Sequence, residues 1–196
     1  QDLWMQDAKI DAFGVGERLI TAKSEPVFGC VYKLVAVEDK DGNIVPKIKI
    51  SENVGKITTP HFKKLYRFYG RDTGKAIDRK STRLNSIADY LTVYDETVDD
   101  SQNLEIFDPD ATWKRKEVYH FEARELLVPI YQKGKLVYKR PDIEEIKKYC
   151  AEQVDTLWDE VKRFDNPHNY YVDLSQKLYD IKTELLNEKN ERYEKN

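Results

Sequence analysis

The run Gly14-Val15-Gly16-Glu17-Arg18 is the stretch of this chain best suited to hold a ligand. Two glycines one residue apart let backbone N–H groups approach a ligand closely and tolerate dihedrals closed to other residues. Such a turn can cradle phosphate oxygens when a helix follows it. The Arg18 guanidinium can add a charge-assisted bond to phosphate. The run departs from the two commoner glycine signatures. It has no GxxxxGK[ST] pattern, so it is not a nucleotide P-loop, and it lacks the full GxGxxG spacing. Leu19, Ile20 and Thr21 leave room for only a short helix. Glu17 suits phosphate only if it points away, caps backbone groups, or binds a metal or ribose hydroxyls. A phosphate cradle and a simple tight turn both fit these residues.

Other reactive side chains are scattered. His61, His120 and His168 have no partner at helical spacing, so no metal site is expected from them. His120, between Tyr119 and Phe121, is expected to be partly buried or to face a sheet. Cys30 and Cys150 lie far apart and give neither a disulfide framework nor paired metal ligands. They read as packing residues. "HFKKLYRFYGR", His61 to Arg71, interleaves bases with aromatics. That pattern can bind single-stranded nucleic acid or a smaller anion. It also describes a strand with one face solvated by Lys64 and Arg67. With a formal charge of −3, the chain has no global positive field to attract nucleic acid. Asp99-Asp100 and Asp108 with Asp110 read as solvated turn carboxylates.

The elements that must position these groups follow from periodicity. Ala8 to Phe13 is apolar and ends at glycine, as a buried strand entering a loop does. Phe28 to Val37 and Val45 to Ile50 flank Asp41-Gly42 and predict a hairpin. Lys64 to Tyr69 and Tyr90 to Tyr94 are further strands. Val118 to Ile130 and Leu136 to Tyr138 flank "QKGK", again a hairpin with glycine in its turn. From Ile143 the period changes. Ile146, Cys150, Val154, Leu157, Val161 and Phe164 recur every three or four residues, which predicts one amphipathic helix. Its first turn is acidic and Pro167 ends it. Asp173 is expected to cap a second helix, with Gln176 three residues on. Leu174, Leu178, Ile181 and Leu185 form its apolar face, and the last ten residues are expected to fray.

The 196 residues, 40% apolar and 35% charged, have the composition of a water-soluble globular protein. No apolar run is long enough to span a bilayer and no leader is visible, so a cytoplasmic protein without membrane or nucleic-acid partners is expected. "QDLWMQDAKIDAFGVG" opens without Met and runs straight into an apolar stretch, as the interior of a longer protein would. "DRKSTRLNS", Asp78 to Ser86, is polar and aperiodic. It is expected to be an exposed insertion, foreign in composition to its neighbours and not native. Three regions are expected: 1–26 with the glycine loop, 27–140 predominantly β, and 141–196 helical.

Taken in order, these stretches resemble one family. "IDAFGVGERLIT", "PVFGCVYKLVAV", "KIKISENVGKITTPHFKKLYR", "GRDTGKAI", "ADYLTVYDE" and "RFDNPHNYYVDLSQKL" are similar to nicotinate phosphoribosyltransferase across almost the whole chain. The resemblance implies an α/β fold: a fragment of the irregular type II phosphoribosyltransferase barrel, an associated β-rich region and C-terminal amphipathic helices. It implies an enzyme that joins nicotinate to the ribosyl phosphate of phosphoribosyl pyrophosphate, with coupled ATP hydrolysis, Mg2+ at the phosphates and a homodimeric assembly. Gly14, Val15, Gly16, Glu17 and Arg18 would then line the phosphate-binding loop at the end of a late barrel strand. Glu17 stands where the family often has a threonine that contacts the ribose phosphate, and Cys30 follows Phe28-Gly29 where FGG is commoner. The phosphohistidine and nicotinate-clamping residues would lie upstream. The chain would be roughly the C-terminal 40% of the enzyme and inactive alone. A noncatalytic β-rich interaction module and a related pyridine phosphoribosyltransferase are the alternative readings.

Overall fold

The structure, a computed structural model, describes residues 2–27, 29–70 and 85–194. The chain divides into two compact units, residues 1–33 and 34–196. Residues 78–84 of the expected insertion, and Phe28, lie outside the described residues.

The first unit holds two short helices, α1 (Asp2–Met5) and α2 (Glu17–Ile20). Thr21 closes α2, its Oγ1 donating to the Glu17 carbonyl at 2.8 Å. The strand expected over Ala8 to Phe13 is not formed. Those residues have no strand partner among the described residues of this unit, and Phe13 is exposed. A lone extended segment cannot satisfy its own amides, so it gains nothing by burial.

The second unit begins with the predicted hairpin, in shortened form. β1 (Ala36–Glu38) pairs antiparallel with β2 (Ile44–Pro46). The Asp39 carboxylate accepts the amides of Asp41 and Asn43 at 2.9 and 2.8 Å. Gly42 takes φ +85°, open to glycine and costly for most residues. Residues 29–35, expected to extend this strand, join no ladder, and Val31 and Tyr32 are exposed.

The core is built on β3 (Lys63–Gly70), β4 (Ser86–Val93), β7 (Phe121–Glu125) and β10 (Val172–Leu174). Their order is β10-β4-β3-β7, with only β10 parallel to its neighbour. Alternation sends Tyr66, Phe68, Ala88 and Tyr90 to one face. A hairpin of β5 (Leu104–Phe107) and β6 (Arg115–Val118) contributes Ile106 and Val118 to the same cluster, which Phe121 completes. Phe68 and Phe121 are wholly buried, their rings 4.6 Å apart. On a second cluster Val93 and Leu174 meet Leu178 of α5 (Gln176–Glu194). Ser175 caps α5: its Oγ accepts the Leu178 amide at 3.2 Å and donates to Glu96 Oε2 at 2.7 Å. The cap expected at Asp173 is therefore displaced by two residues, because Asp173 is held in β10 opposite Tyr90.

Three further expectations change. The single helix from Ile143 to Phe164 ends early, as α3 (Ile143–Asp155) followed by α4 (Asp159–Lys162). Asp142 and Glu145 form a reciprocal capping box at the start of α3. After it the Thr156 carbonyl accepts the Ser86 amide at 2.9 Å, and Trp158 Nε1 donates to the Ser86 carbonyl at 2.8 Å. Those bonds draw the chain to the sheet edge. They also place Ser86 inside β4, buried, so the expected exposed insertion reaches too far at that end. No residue of α3 is buried. His120 is neither buried nor in a strand. It turns the exposed corner between β6 and β7 at φ +51°. The "QKGK" turn is as predicted: Lys133 and Gly134, both at positive φ, join β8 (Tyr131–Gln132) to β9 (Lys135–Leu136).

Candidate functional site

Gly14 to Arg18 form an exposed loop that runs into α2. Gly16 is the helix N-cap at φ −86° and ψ 169°, ordinary extended geometry. A Cβ built on Gly14 or Gly16 meets nothing within 4 Å. The amides of Leu19 and Ile20 return to the Gly16 carbonyl. Those of Glu17 and Arg18 donate to no acceptor among the described residues. Among the described residues no group of three His, Cys, Asp or Glu side chains could hold a metal ion.

The basic-aromatic stretch is not a solvated face. Arg67 and Asp89 are directly opposed across β3 and β4. Arg67 Nε and Nη2 donate to the two Asp89 oxygens at 2.7 and 2.8 Å. Tyr170 donates its hydroxyl to Asp89 Oδ1 at 3.0 Å, and the guanidinium lies over the Tyr170 ring. This bidentate bond raises the Arg67 pKa further. Lys64 Nζ donates to the Glu96 carbonyl at 3.1 Å. Lys63 Nζ donates to three backbone carbonyls, of Thr59, Pro60 and His61 at 3.0, 3.2 and 2.7 Å, and burial lowers its pKa. These cations tie the sheet together.

A cleft of about 360 Å³ opens where β10 stops short and bares the edge of β4. Ile106 and Phe107 of β5 line it, together with Trp158 and Tyr170. Asp173 lines it with 9% of its surface exposed. No donor bonds its carboxyl among the described residues. Desolvation, and then the neighbouring Asp108 carboxylate, push its pKa up to about 6, against the pull of Lys116. Asp108 is better matched: Lys114 Nζ lies 3.8 Å away and the Asp110 amide donates to it at 2.9 Å. Sequence reasoning missed this constellation, because Asp108 reads as a turn residue and Asp173 as a cap. The available signal was the acid between two apolar residues in "VDL", immediately before a serine able to cap.

Residues 62–182, from the start of β3 into α5, match the family described as "Nicotinate phosphoribosyltransferase C-terminal domain". A nicotinate phosphoribosyltransferase of Bacillus subtilis is 40% identical over 193 residues, 98% of this chain and 37% of that protein. One of Caenorhabditis elegans is 33% identical over 177 residues, 89% of this chain and 28% of that protein. The crystal structure of human nicotinic acid phosphoribosyltransferase shares the mixed α/β fold, with a TM-score of 0.55 and 22% identity over 66% of this chain and 24% of that one. The chain thus spans well under half the length of the relatives it matches. With the match running through the whole four-stranded sheet, the chain belongs to the nicotinate phosphoribosyltransferase C-terminal domain family.

Proposed function

We propose that this chain is the C-terminal portion of an enzyme of NAD biosynthesis that transfers the phosphoribosyl group of phosphoribosyl pyrophosphate to nicotinate. The products are nicotinate mononucleotide and pyrophosphate, with ATP hydrolysis coupled to the step. The observation that carries this reading is the 40% identity to the Bacillus subtilis enzyme over 98% of the chain. Residues 1–26 then end the type II phosphoribosyltransferase barrel, 27–140 form its β-rich companion, and 141–196 supply the C-terminal helices. The complete enzyme is a cytoplasmic homodimer.

Within this frame Gly14, Val15, Gly16, Glu17 and Arg18 hold the phosphates of phosphoribosyl pyrophosphate. Their exposure and the unengaged amides of Glu17 and Arg18 support that role. Backbone N–H groups and the Arg18 guanidinium would fix the phosphate oxygens while the anomeric carbon loses pyrophosphate. Among the described residues no group of three His, Cys, Asp or Glu side chains could hold a metal ion, and Mg2+ would enter on the substrate phosphates. Phosphohistidine formation and nicotinate binding fall to residues beyond it, and the chain alone is inactive.

Gly16→Ala tests the loop. Nothing in this chain crowds a Cβ there. The variant should therefore fold like the parent, while the enzyme containing it loses affinity for phosphoribosyl pyrophosphate in a titration of that ligand. Unchanged affinity removes the assignment.

A further inference from the structure

We propose that the apolar stripe of α3 is a docking surface for the upstream, barrel-bearing part of the same polypeptide. The inference rests on the reading of this chain as the C-terminal portion of a longer enzyme.

The helix presents the wrong face to its own domain. Ile143, Ile146, Cys150 and Val154 recur at three and four residues, so they share one face. A stripe of that kind ordinarily packs on a core. Here it packs on nothing: Ile143, Ile146 and Val154 are 71, 47 and 44% exposed, and Cys150 is exposed with them. The two α3 residues that are partly covered are polar, Glu152 and Gln153. Tyr69 donates its hydroxyl to Gln153 Oε1 at 3.1 Å, and just past the helix the Thr156 carbonyl accepts the Ser86 amide. Polar bonds thus moor α3 to the sheet while its apolar stripe is left to water. A helix of 13 residues draws most of its stability from packing such a stripe. The hairpin before it repeats the pattern. Tyr131 and Leu136, cross-strand partners in β8 and β9, are both exposed, and a two-stranded hairpin is marginal by itself.

Size decides between occupants. The stripe is about 20 Å long and about 10 Å across, roughly 200 Å². A separate partner, a second copy included, needs about 800 Å² on each side to be held firmly. A segment joined to the same polypeptide meets the stripe at an effective concentration near millimolar, so a small apolar contact suffices. Such a segment exists in the Bacillus subtilis relative. It aligns with 98% of this chain, α3 included, yet the chain spans 37% of it.

Cys150 sits in the stripe and reports its cover. Alkylation by N-ethylmaleimide is followed at the Cys150 peptide by mass spectrometry. The chain alone is compared with a chimera in which it replaces the matching part of the Bacillus subtilis protein. In the chain alone Cys150 should react within about threefold of an unstructured cysteine peptide, at every protein concentration. In the chimera it should react at least about tenfold more slowly. Ile146→Lys puts a charge in the stripe. It should leave the urea midpoint of the chain alone unchanged, because Ile146 is exposed there, and restore fast labelling of Cys150 in the chimera. If the chimera does not fold, the intact Bacillus subtilis protein takes its place, with cysteine at the position aligned with Cys150 and lysine tested at that aligned with Ile146. Slow labelling in the chain alone, equal rates in chain and chimera, protection that is lost on dilution to single copies, or protection that survives Ile146→Lys each overturns the proposal. Product and protection separate the two readings. A chimera that makes nicotinate mononucleotide with Cys150 open refutes the docking and leaves the enzyme reading standing. One that protects Cys150 and makes no product supports the docking and counts against the enzyme reading.

Discussion

Replacing Arg67 with methionine should be among the most damaging single changes to this fold. Met keeps much of the apolar stem and removes the guanidinium. Two bonds to Asp89, at 2.7 and 2.8 Å, are lost together. The Asp89 side chain, 8% exposed, keeps only the Tyr170 hydroxyl at 3.0 Å. Breaking a buried pair from one side costs about 3–5 kcal/mol, because the remaining charge is left without compensation. The surviving Tyr170 bond places the expected loss near the lower end, about 3 kcal/mol. That is a large share of the roughly 5–15 kcal/mol that holds a domain folded. Urea unfolding of the full chain, followed by circular dichroism, measures it. The double variant Arg67→Met with Asp89→Leu removes both charges and should lose less than Arg67→Met alone. A single-variant loss below about 1 kcal/mol, the value of a surface ion pair, would refute the reasoning. So would a double variant whose loss equals the sum of the two singles.

Two further outcomes follow from the core and the cleft. Phe68→Ala, at a wholly buried position with its ring tilted against those of Phe121 and Tyr90, should cost about 3–5 kcal/mol in the same assay, and a loss under about 1 kcal/mol would mean the site collapses to fill the cavity. Asp173→Asn should stabilise the chain at about pH 8. The folded-state pKa of Asp173 is raised from 3.8 to about 6, so the native state holds its proton more tightly than the unfolded one. Stability from this group is therefore present at low pH and lost as pH rises through that window. Asparagine does not titrate, so its advantage should shrink on acidification and vanish below about pH 4, as read by thermal midpoints across pH. A variant that is destabilised equally at all pH values would show that Asp173 is not held against its charge.

β3 was legible because its local pattern and its tertiary fate agree: "KKLYRFYG" alternates, and the register sets Tyr66 against Tyr90 and Phe68 against Ala88. β4 starts at Ser86, four residues before the expected strand at Tyr90, and β10 stands where only a helix cap was expected. The hairpin at Asp41-Gly42 was legible from its turn chemistry. Failures came where long-range pairing overrode local signals. Arg67 reads as a solvated base because nothing local announces Asp89, some twenty residues on, as its partner. The β5–β6 hairpin was missed because "RKEV" is mostly charged and exposed, and only Val118 is buried. The helix from Ile143 kept its period past Asp155, but the bonds from Ser86 to Thr156 and from Trp158 to Ser86 ended it. Asp173 carried a cap signature two residues before the true cap at Ser175. The glycine loop was legible as a motif; its exposed placement gives it the access a ligand site needs, and its chemistry depends on what approaches it.

The most direct test of the central claim is formation of nicotinate mononucleotide from nicotinate, phosphoribosyl pyrophosphate and ATP with Mg2+. The assay compares this chain alone with a chimera in which it replaces the matching 37% of the Bacillus subtilis protein. The account predicts product from the chimera and none from the chain alone. Product from the isolated chain would contradict the assignment of catalysis to residues beyond it, and a folded chimera that makes none would contradict the proposed function.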